Sequence, residues 1–133
     1  MLQKLPTILR KNNFKVTAVI VDNLLIDIEP GDTTYSRFAV AYDLGTTTVV
    51  ATLLDLNSGT PVAVKSMLNK QQPFGADVIS RISATMLDAT ALQRLREAGQ
   101  STLNELTDEV IQEAGISNLN VYEVAVAGNA TMI

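Results

Sequence analysis

Residues 38–68 decide the fold, and they read FAVAYDLGTTTVVATLLDLNSGTPVAVKSML. Three closely spaced apolar runs occupy residues 38–43, 48–56 and 61–68. The connections between the runs are short and carry Gly, Thr, Asn and Ser, which are turn residues. Because short loops join antiparallel neighbours, this stretch predicts a three-stranded antiparallel meander.

A helical region is predicted after the meander. Asp77 is placed to cap a helix over residues 78–87. In a second helical stretch, Gly99 predicts a break or kink and Gly115 predicts a left-handed C-terminal cap. Apolar side chains at spacings near three and four share one face of this second stretch: Leu92, Leu95, Leu103, Leu106, Val110 and Ala114.

A fourth strand is predicted over residues 121–127, which are nearly uncharged, as is typical of a buried parallel strand. Gly128, Asn129 and Ala130 are then expected to begin another helix. A helical crossover brings the fourth strand parallel to the first one. This α/β order of three antiparallel strands, helices and a parallel strand resembles the opening of a ribonuclease-H-like layer. We expect residues 37–133 to form such a domain, truncated at its C-terminal end.

Residues 1–36 are predicted to form a separate linker segment that contains a β-hairpin. Its strands are expected at residues 14–21 and 24–29, with Asp22 and Asn23 as a two-residue turn between them. Pro30 and the residues after it end the hairpin and begin a polar connector.

Composition excludes several classes of function. The 133 residues carry a net charge of -4, which disfavours binding to nucleic acid or to an anionic membrane. The absence of Cys and His excludes disulfides, thiol nucleophiles, iron–sulfur ligation, imidazole catalysis and the usual zinc sites. No apolar run approaches the roughly 20 residues that span a bilayer, and no secretory signal is visible. We therefore expect a cytoplasmic protein.

The turn after residue 43 carries the chemistry. Asp43 ends an apolar strand, and Gly45 permits a close approach of the backbone to a ligand. The amides of residues 45–48 and the hydroxyls of Thr46, Thr47 and Thr48 can surround phosphate oxygens. A carboxylate beside phosphate is repulsive unless a cation such as Mg²⁺ lies between them. The alternative is a tight hairpin turn in which the polar groups satisfy one another.

This turn resembles the first phosphate motif of the superfamily that contains actin, sugar kinases and heat-shock chaperone ATPases. Four segments, spread between residues 28 and 132, make it more similar to the middle region of the reductive activators of corrinoid proteins, and the resemblance covers nearly the whole chain. They are Ile-Glu-Pro-Gly-Asp at 28–32, Ala-Tyr-Asp-Leu-Gly-Thr-Thr-Thr-Val-Val at 41–50, the Asn69 to Ile82 stretch, and Ala-Gly-Asn-Ala-Thr-Met at 127–132. The stretch from Asn69 is the most specific of the four.

The resemblance implies roles for particular residues. Asp43 would hold Mg²⁺ through water, and Gly45, Thr46, Thr47 and Thr48 would line the phosphates of ATP. In the same half of the cleft, Gly128 and Asn129 would form a strand-to-helix connection. The resemblance also implies an iron–sulfur cluster in an upstream domain, and a corrinoid protein or its methyltransferase as partner.

The residues leave other roles and other functions open. Arg81 can pair with a carboxylate or with a phosphate-bearing ligand, but an exposed pair of little energetic value is favoured. Asn69 and Gln71 either face the cleft or a partner protein, or satisfy loop backbone groups. A sugar or acid kinase of the same superfamily is one alternative function. A two-metal nuclease is a second, although it needs several clustered carboxylates. A non-catalytic interaction fragment that self-associates through the edge of an incomplete sheet is a third.

We expect this chain alone to bind ATP weakly or not at all, because the resemblance places most nucleotide contacts in segments outside it. Isothermal titration calorimetry with MgATP measures this directly. Micromolar affinity for the isolated chain would contradict the expectation.

Overall fold

The chain divides into two compact units, Met1–Arg37 and Phe38–Ile133. The structure is a computed structural model that describes Gln3 and residues 5–132. Each unit has its own strands and is described separately below.

The first unit contains two short helices and a hairpin. Helix α1, Leu5–Arg10, is followed by a 3-10 turn at Lys11–Phe14. Strands β1, Val16–Val21, and β2, Leu24–Pro30, pair antiparallel, which confirms the predicted hairpin. Both turn residues, Asp22 and Asn23, adopt positive φ, as a two-residue hairpin turn requires. Helix α1 was not predicted, because six residues are too few to show a helical periodicity.

The second unit is built on a four-stranded sheet in the order β5-β4-β3-β6. Its strands are β3, Phe38–Leu44, β4, Thr48–Asp55, β5, Pro61–Leu68, and β6, Val121–Gly128. The first three form the predicted antiparallel meander, and β6 pairs parallel to β3, also as predicted.

Two longer helices connect β5 to β6. Helix α2, Val78–Leu87, begins at the predicted cap, and helix α3, Ala91–Ala114, ends at Gly115 in the left-handed conformation. The predicted break at Gly99 is wrong, since α3 continues through it. A methyl group on Gly99 would lie 3.0 Å from the side-chain nitrogen of Gln71, so close approach explains the glycine.

The core lies between α3 and one face of the sheet. Val40 and Leu53 from the strands and Leu106 and Val110 from α3 are fully buried there. The hydroxyl of Tyr42 reaches α3 as well, where it bonds with the Thr107 hydroxyl. The sheet and the long helix therefore hold each other through both apolar and polar contacts.

Two predictions, the burial of β6 and the helix after Gly128, are wrong. Strand β6 is parallel but largely exposed, with Val124 at 61 %, because it is the outer strand and borders an open groove. Leu92 is exposed at 68 % on the rim of the same groove, while the unpredicted Thr102 is buried. After Gly128 the described residues, as far as Met132, form a turn rather than the expected helix.

Within the described part of the chain, no helix combines the length and the apolar composition needed to cross a bilayer. The longest helix, α3, carries charged side chains along much of its surface.

Two leucines of α3 offer a matched test of the core. Leu106→Ala removes a fully buried side chain and should lower the free energy of unfolding by about 2–5 kcal/mol. Leu92→Ala changes an exposed side chain and should lower it by less than about 1 kcal/mol. Urea denaturation followed by circular dichroism measures both. Equal losses in the two variants would contradict this assignment of the core.

Candidate functional site

The predicted phosphate loop lies at the edge of the sheet where β3 and β6 both end. Asp43 is the next-to-last residue of β3, with an exposed side chain, and Thr48 begins β4. Leu44 is paired with Val49 and, across the parallel ladder, with Gly128. The topology thus brings the loop and the Gly128 connection to the same edge, as a parallel pair of strands requires.

The carbonyl groups of the loop are held by the segment that follows β5. The side-chain amide of Asn69 donates to the Gly45 carbonyl at 2.9 Å, and the backbone amide of Asn69 donates to the Thr47 carbonyl at 2.8 Å. Arg81 on α2 donates through Nη2 to the carbonyl between them, that of Thr46. The carbonyls of three successive peptide groups therefore accept hydrogen bonds from Asn69 and Arg81.

Asn69 and Gln71 form a buried amide network behind the loop. Asn69 is 1 % exposed, and its Oδ1 accepts the backbone amide of Gln71 at 2.9 Å. Gln71 accepts Asn69 Nδ2 and Arg81 Nη1 on its side-chain oxygen and donates through Nε2 to the Leu95 carbonyl at 3.0 Å. The expectation that the amide satisfies loop backbone groups is confirmed for Asn69. Gln71 instead bonds a carbonyl of α3 and so connects the network to that helix.

Arg81 is buried at 5 % exposure, so the expectation of an exposed ion pair is wrong. Its strongest contacts are to neutral oxygen atoms: Nε donates to the Gly75 carbonyl at 3.0 Å, and the guanidinium also reaches Gln71 and Thr46. Burial lowers its pKa, which the charge of Asp77 partly opposes, but an arginine in a protein remains protonated. The positive charge therefore stays beneath the loop.

A helical-wheel argument could have found the buried arginine. Arg81 follows Val78 by three residues and precedes Thr85 by four, so all three share a face of α2. Val78 and Thr85 are half-buried, and Arg81 lies deeper than either. The signal was an arginine on the apolar side of a helix.

The start of α2 fixes where Arg81 lies. Asp77 caps the helix by accepting the Ser80 amide at 2.7 Å, as predicted, and this hydrogen bond lowers the pKa of Asp77. Gly75 has a φ of 147°, and a methyl group there would lie 2.9 Å from the Arg81 backbone nitrogen. The tight entry to the helix thus depends on glycine.

The other predicted site residues differ in their exposure and contacts. Thr46 is half-buried, whereas Thr47 and Thr48 are exposed. Asn129 accepts the Thr131 amide at 3.0 Å through its side-chain oxygen, so it stabilises the turn after β6. Among residues 3 and 5–132, no group of three or more carboxylates is placed to hold a metal ion.

Comparison with known proteins shows the family of this chain. Residues 38–133 match the RACo middle region, and residues 1–35 match the RACo linker region. The chain belongs to the RACo family. The two matched regions meet near the boundary between the two compact units, which lies at Arg37.

Relatives of known name support this assignment. The RACo-family chain is 36% identical over 119 residues to the corrinoid activation enzyme RamQ of Eubacterium limosum, covering 89% of this chain and 20% of RamQ. It is 41% identical to a solved reductive activator for corrinoid, iron-sulfur protein, with a TM-score of 0.81 over 98% of this chain and 22% of that one. The chain therefore spans about a fifth of the length of these relatives.

Gly45 in the loop and Gly115 at the end of α3 distinguish a steric effect of an alanine substitution from a conformational one. A methyl group on Gly45 would collide with the Thr48 carbonyl oxygen, so Gly45→Ala should distort the loop and shift the amide resonances of Thr46 and Thr47. Gly115→Ala has open space but a φ of 64°, and should cost about 1 kcal/mol in stability without moving those resonances. Two-dimensional ¹H–¹⁵N NMR distinguishes the two. An unchanged loop spectrum in Gly45→Ala would contradict the loop geometry.

Proposed function

We propose that the chain is the middle segment of an ATP-dependent reductive activator of a corrinoid protein, and that its phosphate loop binds MgATP. The observation that carries the proposal is the loop after β3, whose carbonyls are tied inward above a buried guanidinium. The named relatives are a corrinoid activation enzyme and a reductive activator, which supports the corrinoid part.

The chemistry of the loop suits phosphate. The hydroxyls of Thr46, Thr47 and Thr48 and the backbone of Gly45 supply neutral groups that bind oxyanions. The charge of Arg81 beneath the loop adds a favourable potential for an anion. A phosphate chain would therefore find hydrogen-bond donors in front and a positive charge behind.

The carboxylate of Asp43, beside the loop, is suited to hold a magnesium ion through a water molecule. Asp43 is exposed at the end of β3, where it would repel phosphate in the absence of a cation. Mg²⁺ usually keeps several of its waters and takes only one or two carboxylates when it accompanies phosphates. When bound, Mg²⁺ would neutralise the charge of the phosphates, and Asp43 would orient its water shell.

We propose a ribonuclease-H-like, actin-like ATPase half-domain for residues 37–133, and a linker for residues 1–36. The meander with a parallel β6 and a loop between its first two strands supports this assignment. Gly128 and Asn129 would then line the same half of the cleft. Binding and hydrolysis of ATP would close or open the cleft and so change docking to the corrinoid protein. The iron–sulfur cluster would belong to another part of the activator.

The magnesium role of Asp43 is testable by comparing ATP with and without the metal. In a longer activator that carries this chain as its middle segment, Asp43→Asn should weaken binding of MgATP about tenfold or more. It should leave binding of metal-free ATP equal or tighter, because the variant removes a charge that repels phosphate. Fluorescence or calorimetric titration measures both affinities.

The matched control is Asp108→Asn, which removes an exposed carboxylate from α3 and should change neither affinity. If Asp43→Asn weakens ATP equally with and without magnesium, or not at all, the magnesium assignment is wrong. ATP turnover that requires a sugar, without reduction of a corrinoid protein, would instead favour the kinase alternative.

A further inference from the structure

We infer that Asn69 and Arg81 act as positioning residues that turn the amides of the phosphate loop toward the ligand. This inference rests on the proposed function, since the ligand is the phosphate chain of ATP. It assigns a role to two residues that lie outside the loop and have no need to touch the nucleotide.

The inference begins with the geometry of the peptide group. In a trans peptide the carbonyl of one residue and the amide of the next point in opposite directions. The carbonyls of Gly45, Thr46 and Thr47 are held toward Asn69 and Arg81. The amides of the three residues that follow them, at 46–48, therefore point to the opposite side of the loop.

An array of amides on one side of a turn is an anion-binding concavity. Among the described residues, no backbone carbonyl accepts the amides of Thr46 or Thr47, so both are available to a ligand. Asn69 holds the first and third of the three carbonyls and Arg81 holds the middle one. Releasing the middle carbonyl would let its peptide plane rotate and remove one donor from the array.

A buried guanidinium is an expensive way to satisfy two carbonyls and one side-chain amide oxygen, and this cost points to a second purpose. Arg81 hydrogen-bonds to neutral oxygens, while Asp77 acts on it only through its longer-range charge. A buried charge without a hydrogen-bonded counter-charge costs stability. A phosphate bound to the far side of the loop would supply opposite charge close to it.

Helix α3 also helps to fix the position of Arg81, through Gln71. Gln71 accepts from Arg81 and donates to the Leu95 carbonyl, and it packs where a side chain on Gly99 would intrude. Helices α2 and α3 therefore both support the orientation of the loop. Such support restricts the rotations by which the amides would otherwise lose their common direction.

The test compares Arg81→Gln and Arg81→Lys with Leu53→Ala in the longer activator. Arg81→Gln removes the positive charge, and the shorter side chain cannot make the same set of hydrogen bonds. It should weaken MgATP binding about tenfold or more. Arg81→Lys keeps the charge but lacks the planar fork that serves Gly75, Gln71 and Thr46 together, so it should restore affinity only in part. Leu53→Ala destabilises the core five residues along β4 from the loop and should leave affinity unchanged.

A second readout follows the loop without nucleotide. In ¹H–¹⁵N spectra and amide hydrogen exchange of this chain, Arg81→Gln should shift or broaden the amides of Thr46 and Thr47 and speed their exchange. Leu53→Ala, at similar loss of stability in urea, should leave those loop signals in place. A purely structural role for Arg81 would give the two variants the same pattern.

The outcomes separate the inference from the proposed function. Tight MgATP binding by the parent and by Arg81→Gln alike overturns the inference and leaves the function standing. No MgATP binding by the parent overturns the function and the ligand, and altered loop amides in Arg81→Gln then still support the orienting role. Unaltered loop amides in Arg81→Gln overturn the orienting role whatever the nucleotide result.

Discussion

The satisfaction of three loop carbonyls by Asn69 and Arg81 is the constraint on which the rest of the site depends. Carbonyl groups in a part-buried turn must find donors, because leaving one unpaired costs roughly 1–3 kcal/mol. Here the donors come from beyond β5, between 22 and 35 residues further along the chain. The loop therefore takes its shape from the folded sheet and α2 as well as from its own Gly45.

Three glycines in and behind the loop stand where a neighbouring group approaches the backbone too closely for a side chain. Gly45 leaves room for the Thr48 carbonyl, Gly75 for the first turn of α2, and Gly99 for Gln71. A glycine inside a helix costs about 1 kcal/mol relative to alanine, so its presence within α3 indicates a compensating contact. The polar network behind the loop supplies that contact, and it accounts for a residue that looked like a helix breaker.

Local patterns were reliable where a short segment sets its own conformation. The hairpin turn at Asp22 and Asn23, the cap at Asp77 and the left-handed Gly115 all follow from a few neighbouring residues. The three-stranded meander and the parallel fourth strand also followed from run lengths and connections. An error arose where burial depends on what lies alongside, as for the exposed strand β6.

The sequence by itself determined the order of the strands and of the two longer helices, the loop composition and the family resemblance, because these depend on residue type and spacing along the chain. Only the tertiary structure decided that Arg81 is buried beneath Thr46 and that Gln71 reaches Leu95. Those contacts join segments far apart in sequence, and helical spacing alone does not say whether a charged side chain finds enough acceptors to be buried. The cost of burying a charge is decided by its partners, and the fold supplies them.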